Sequence, residues 1–179
     1  MQHIRFFRDL TIEDVSSVGG KNASLGEMFS RLTPEGIQVP DGFAVTAAAY
    51  WHFIDANGLR DKLRNLLEKL DRLQFANLKE TGAQARWLLL EATLPPDLAE
   101  AIRQAYRQLA GNDRDVSFAV RSSATAEDLP NASFAGQHES YLNVQGEEAV
   151  LKAVQRCFAS LFTDRAIKYR EDNGFDHMK

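Results

Sequence analysis

Two stretches of this chain hold residue types whose spacing could do chemistry. The first is "FAVRSSATAEDLPNASFAG", residues 118–136. Arg121 follows an apolar run directly, so a strand ending there would hold its planar fork of donors rigidly, a shape that suits phosphate oxygens. Around it lie hydroxyls and small residues, Ser122, Ser123, Ala124, Thr125, Ala132, Ser133, Ala135 and Gly136, which let backbone amides approach a ligand closely. The same composition also suits a surface hairpin loop. Glu127 and Asp128 read as turn or N-cap acids more readily than as metal ligands.

The second stretch is "VGGKNASLGEM", residues 18–28. Gly19 and Gly20 precede a helical pattern, so N–H groups at the helix start can face an anion unobstructed, and Lys21 adds a mobile cation there. A Walker A loop would require Gly at position 15 and Ser or Thr at 22, where this chain has Val15 and Asn22. An N-terminal turn with a solvated lysine is the alternative reading. Together the two stretches supply cations and backbone donors suited to one ligand type, a polyphosphate.

The elements that must position these residues are mostly helical. Leu25, Met28, Phe29 and Leu32 draw an amphipathic stripe that Thr33-Pro34-Glu35-Gly36 ends. "IQVPDGFAVT" reads as short extended pieces around a Pro-Asp-Gly turn. Thr46 caps a helix that Gly58 stops. Leu59, Leu63, Leu66, Leu67 and Leu70 mark the next, and a weaker pattern runs from Phe75 to Ala92. Leu98, Ile102, Ala105, Tyr106 and Leu109 form another before Gly111. Val150, Val154, Cys157, Phe158 and Leu161 predict a further helix, and Asp164 caps a last one ending near Asn173-Gly174. Two strands, Val116–Val120 and within "QHESYLNV", flank the polar gap. The fold class is therefore α+β and helix-rich, with a small antiparallel sheet. The leucines and aromatics of the helices are expected in the core, and Cys157 as a buried, inert thiol.

Bulk properties narrow the partners. The 179 residues fit one domain, and 44% hydrophobic with 26% charged residues is ordinary globular composition. A net charge of −4 argues against a nucleic-acid surface, and no apolar run approaches the length a bilayer requires. One cysteine excludes an internal disulfide, which fits a reducing, cytoplasmic setting.

"VGGKNASLGEM", "VPDGFAVT", "FAVRSSATAEDLPNASFAGQHESYLNV" and "FASLFTDRAIKYR" together resemble the N-terminal part of the phosphoenolpyruvate synthase family, whose relatives include pyruvate phosphate dikinase and rifampicin phosphotransferase. The resemblance implies the first lobe of an ATP-grasp domain, spanning residues 1–179, in an enzyme that phosphorylates pyruvate with ATP through a phosphohistidine and releases AMP and phosphate. It implies that Lys21 holds ATP phosphates and that Arg121 binds ATP and stabilises the transferring phosphoryl groups. It places Gly136 in a loop that closes over the nucleotide. Ser140 stands where the family often has threonine. It further implies that Mg2+ is held mainly by residues outside this chain. The second lobe, phosphohistidine domain and acceptor barrel are expected beyond Lys179, because no Thr-Ser-His-like or Thr-Cys-His-like motif surrounds His3, His52, His138 or His177. Those histidines read as surface or packing residues. A rifampicin phosphotransferase parent and a free-standing binding module are the alternatives.

Overall fold

Thr46 shows how local chemistry sets the element boundaries. Its extended backbone ends a strand, while its side-chain oxygen accepts a hydrogen bond from the Ala49 N–H at 3.2 Å and starts a helix. The computed structural model describes residues 2–112, 116–123, 128–129, 132–133 and 139–178, the two short pairs by backbone alone. In chain order the elements are β1 (Ile4–Phe6), α1 (Val15–Val18), α2 (Gly20–Leu32), β2 (Phe43–Val45), α3 (Ala47–Ala56), α4 (Leu59–Glu68), α5 (Leu78–Leu90), α6 (Pro96–Ala110), β3 (Phe118–Arg121), β4 (Asp128–Leu129), β5 (Ala132–Ser133), β6 (Ser140–Val144), α7 (Glu147–Ser160) and α8 (Asp164–Asp172). Short 3₁₀ turns at Phe7–Asp9 and Ile12–Asp14 link β1 to α1.

The molecule is mostly helical, and its strands do not join into the single small sheet expected. β1 pairs antiparallel with β2, and β3 separately with β6, while β4 and β5 form a two-residue antiparallel ladder. No helix among the described residues is long and apolar enough to cross a membrane.

Helices α3 to α8 share one core. Phe53, Ile54, Leu63, Leu89, Leu98, Ile102, Phe162 and Ile167 are fully buried there. Each such side chain stabilises the fold by roughly 1.5–3 kcal/mol through removal from water. A smaller cluster of Phe7, Leu10, Val18, Ala23 and Ala44 lies under β1, β2 and α2.

Three expectations are corrected. The fully buried residues of α2 are Gly20, Ala23 and Gly26; of its apolar stripe, Leu25 and Phe29 are half-buried against the smaller cluster, and Met28 is exposed. A Cβ on Gly26 would stand 2.4 Å from the Leu10 Cβ and 2.9 Å from the Phe7 carbonyl oxygen, so only small residues let α2 approach that turn. Trp87 and Leu90 of α5 also face solvent instead of the core. The cap of α8 is Thr163, accepting from the Ala166 N–H at 3.3 Å; Asp164 is the first helical residue and pairs with Arg86 at 3.1 Å.

Candidate functional site

The chain enters α2 through Gly19, whose φ of +80° and ψ of 158° belong to a region that side-chain-bearing residues avoid. That turn presses on the segment leaving β3. A Cβ at Gly19 would fall 2.3 Å from Ser123 Oγ and 2.8 Å from the Ser123 carbonyl. The two polar stretches, a hundred residues apart in sequence, are thus in direct contact. Ser123 Oγ is buried there without a hydrogen-bond partner among the described residues. Ser122 is also buried, and its N–H donates to the Glu139 carbonyl at 3.4 Å, which prolongs the β3–β6 ladder past Arg121.

Arg121 and Ser140 are direct cross-strand partners, and both are exposed. The ladder slips one register between Phe118 and Val120, and Asn143 on β6 has a φ of +55°. Such a bulge twists a strand and re-aims the side chains beyond it. Phe118 and Val120 turn inward while Ala119 and Arg121 face outward. Lys21 sits half-buried in the first turn of α2, two residues beyond the Gly19–Ser123 contact. Gly136 and Glu127 lie outside the described residues, and Asp128 lies in β4.

Beside this junction opens a cavity of about 1120 Å³. Its lining includes the polar Arg8, Ser17, Arg121, Ser122 and Ser123 and the largely apolar Phe43, Val45, Tyr50, Val154 and Phe158. Arg121 lines it; Lys21 does not, though its neighbours Val18 and Asn22 do. The Asn22 amide donates to the Val18 carbonyl at 2.8 Å and so braces the α1–α2 junction. Burial raises the Tyr50 hydroxyl above its ordinary range and pushes the Cys157 thiol up to about 12, so both stay protonated at neutral pH. Cys157 is accordingly the inert buried thiol expected. Arg170, lowered by burial to about 10, remains a cation in the cavity lining.

Magnesium finds a poor fit among the described residues. The cavity lining includes the carboxylates of Asp41 and Asp176, and an Asp41 oxygen already accepts the Gly42 N–H at 2.7 Å. The site offers cations and hydroxyls, a donor set for an anionic ligand.

Sequence reasoning missed one cluster. His3, His52 and Asp97 converge outside the cavity, their ligand atoms all within 4.8 Å of one another. No motif signals this, because the three lie on separate elements and meet only through folding.

Residues 15–179 match the family model described as pyruvate phosphate dikinase, AMP/ATP-binding domain. A phosphoenolpyruvate synthase of Aquifex aeolicus is 56% identical over 173 residues, covering 96% of this chain. Phosphoenolpyruvate synthases of Escherichia coli and Helicobacter pylori are 52% and 49% identical, covering 97% and 100% of it. The chain spans about a fifth of the length of these relatives, 20% of the first and 22% of the other two. With a match over nearly its whole length, a basic site beside an apolar cavity, and relatives at half identity, the chain belongs to the pyruvate phosphate dikinase AMP/ATP-binding domain family.

Proposed function

We propose that this chain is the first lobe of an ATP-grasp domain and binds ATP for a phosphoenolpyruvate-synthase-type enzyme of the cytoplasm. That enzyme converts ATP, pyruvate and water to AMP, phosphate and phosphoenolpyruvate through a phosphohistidine on another domain. The carrying observation is the Gly19–Ser123 contact, which holds the Lys21 and Arg121 segments together beside the cavity that Val18, Arg121 and Ser123 line. The half-identical relatives named as phosphoenolpyruvate synthases support pyruvate as the acceptor rather than a rifamycin.

In this reading the apolar body of the cavity takes the adenine, and the polar end takes the phosphates. Lys21 meets them as a compact charge at the start of α2, whose first N–H groups also suit anionic oxygens. Arg121 offers two parallel donors from a strand end and acts on the charge that develops during transfer. Ser140, opposite it in the ladder, adds a hydroxyl, and Gly136 lets its loop close over the nucleotide. Mg2+ supplies charge neutralisation between phosphates when bound, from carboxylates elsewhere in the enzyme.

Equilibrium binding of ATP and of a non-hydrolysable analogue to the 179-residue chain tests the site. Lys21→Ala and Arg121→Ala are each expected to weaken binding about 10-fold or more, the loss of one charge-assisted contact. Unchanged affinity in both folded variants would refute the assignment. The chain alone should release no AMP from ATP on addition of pyruvate, and release that depends on pyruvate would refute the role of a partial machine.

A further inference from the structure

We propose that His3, His52 and Asp97 form a binding site for one divalent transition-metal ion of the zinc type, separate from the nucleotide site. His3 immediately precedes β1, His52 lies on α3, and Asp97 occupies the first turn of α6. The two imidazoles stack with centroids 5.0 Å apart and planes 17° from parallel. That arrangement turns both Nε2 atoms toward the same carboxylate. His3 Nε2 stands 3.2 Å from one Asp97 oxygen and His52 Nε2 3.0 Å from the other.

The geometry suits a small cation. A tetrahedral zinc with bonds near 2.0–2.1 Å holds its ligand atoms about 3.4 Å apart. The three donor groups here lie within 4.8 Å of one another, so side-chain rotation closes the gap without moving a helix. Two imidazoles and a carboxylate favour Zn2+, Co2+, Ni2+ or Fe2+ and disfavour Mg2+ and Ca2+, which take oxygen ligands. The His3 side chain is 16% exposed, that of His52 33% and that of Asp97 59%. One side of the cluster therefore stays open for water to complete the coordination. None of the three lines the large cavity, so the two sites load independently.

His3 Nδ1 sets the strength of the site. It is buried and has no hydrogen-bond partner among the described residues. A metal at Nε2 leaves the ring's N–H at Nδ1, where no described acceptor orients it. Loss of such an outer partner typically weakens metal binding 10–100-fold. The site is therefore one of reversible, exchangeable loading. Its ion cross-links the β1–β2 pair to the helical core, so binding raises stability by RT ln(1 + c/Kd), increasing with the free-ion concentration c.

The 179-residue chain, stripped with a chelator that is then removed, is titrated with Co2+ and Zn2+. The expected result is one ion per chain, intense visible ligand-field bands for Co2+, and a melting temperature raised by Zn2+ but not by equimolar Mg2+. His52→Ala and Asp97→Asn each weaken the binding about 10-fold or more and abolish the melting shift, whereas His177→Ala retains both. Ring-nitrogen NMR of the unsubstituted chain provides a second readout, in which Zn2+ shifts the His3 and His52 signals and spares that of His177. Absence of binding by the unsubstituted chain, undiminished binding by both variants, or shifts at His177 in place of His3 and His52 would overturn the site.

Discussion

Gly19 lies against Ser123 with no room for a side chain, a Cβ there standing 2.3 Å from the serine Oγ. This contact joins the lysine-bearing turn of α2 to the segment leaving the arginine-bearing end of β3 and fixes the entry of α2.

Gly19→Ala should break that contact. The backbone region it occupies costs a non-glycine residue about 1–3 kcal/mol, and the overlap with Ser123 adds to this. Denaturant unfolding should show a loss of at least that size, and ATP affinity should fall in the fraction that remains folded. A variant with normal stability and normal affinity would show that the contact positions nothing.

Arg121→Lys keeps the charge and loses the two-pronged geometry. In the full-length enzyme turnover should drop on the order of 10²–10³-fold, the effect of removing one preorganised donor. ATP affinity should fall much less, and melting should barely change because Arg121 is exposed. A lowered melting temperature with turnover falling only in step would instead mark Arg121 as structural.

His177 predicts a pH dependence. Its Nδ1 accepts from the Arg170 guanidinium at 2.7 Å, and its Nε2 stands 2.8 Å from a Glu171 oxygen, with Arg72 also paired to Glu171. Burial first, then the neighbouring Arg170 charge, hold the imidazole below its ordinary 6.5, and these outweigh the pull of Glu171. The unfolded chain therefore takes up a proton before the folded one does. The stability tied to neutral His177 is complete above pH 6.5 and is lost as pH falls through 6.5 toward the folded value. Urea midpoints should decline between about pH 7 and 5, and His177→Gln should flatten that slope.

Gln155 stitches α7 to the end of α5. Its side-chain amide donates to the carbonyls of Leu89 at 2.8 Å, Leu90 at 3.2 Å and Ala92 at 2.6 Å, groups that a helix terminus leaves without partners. Gln155→Ala should cost about 1–3 kcal/mol, which for a domain of this size lowers the melting temperature by about 2–4 °C per kcal/mol. Calorimetry on the two chains measures it directly, and equal melting temperatures would show that water replaces the amide without loss.

The sequence by itself determined what depends on near neighbours. Most of the helix periodicity, the Thr46 cap, the glycine stops and the strand that ends at Arg121 are written in spacings of one to four residues, and the structure repeats them. The motifs around Lys21 and Arg121 also marked the family, since long local strings carry that information. Tertiary structure decided everything that pairs distant residues. The closest approach of α2 was set by the Phe7–Leu10 turn, which leaves no room for a side chain at Gly26, while Leu25 and Phe29 of the apolar stripe pack only half-buried. The strands settled as separate antiparallel pairs, although residues of β1–β2 and of β3–β6 pack against the same helical core. The meeting of Gly19 with Ser123, and of His3 and His52 over Asp97, spans separations of 104, 49, 45 and 94 residues, and no local pattern encodes contacts formed only when the chain has closed.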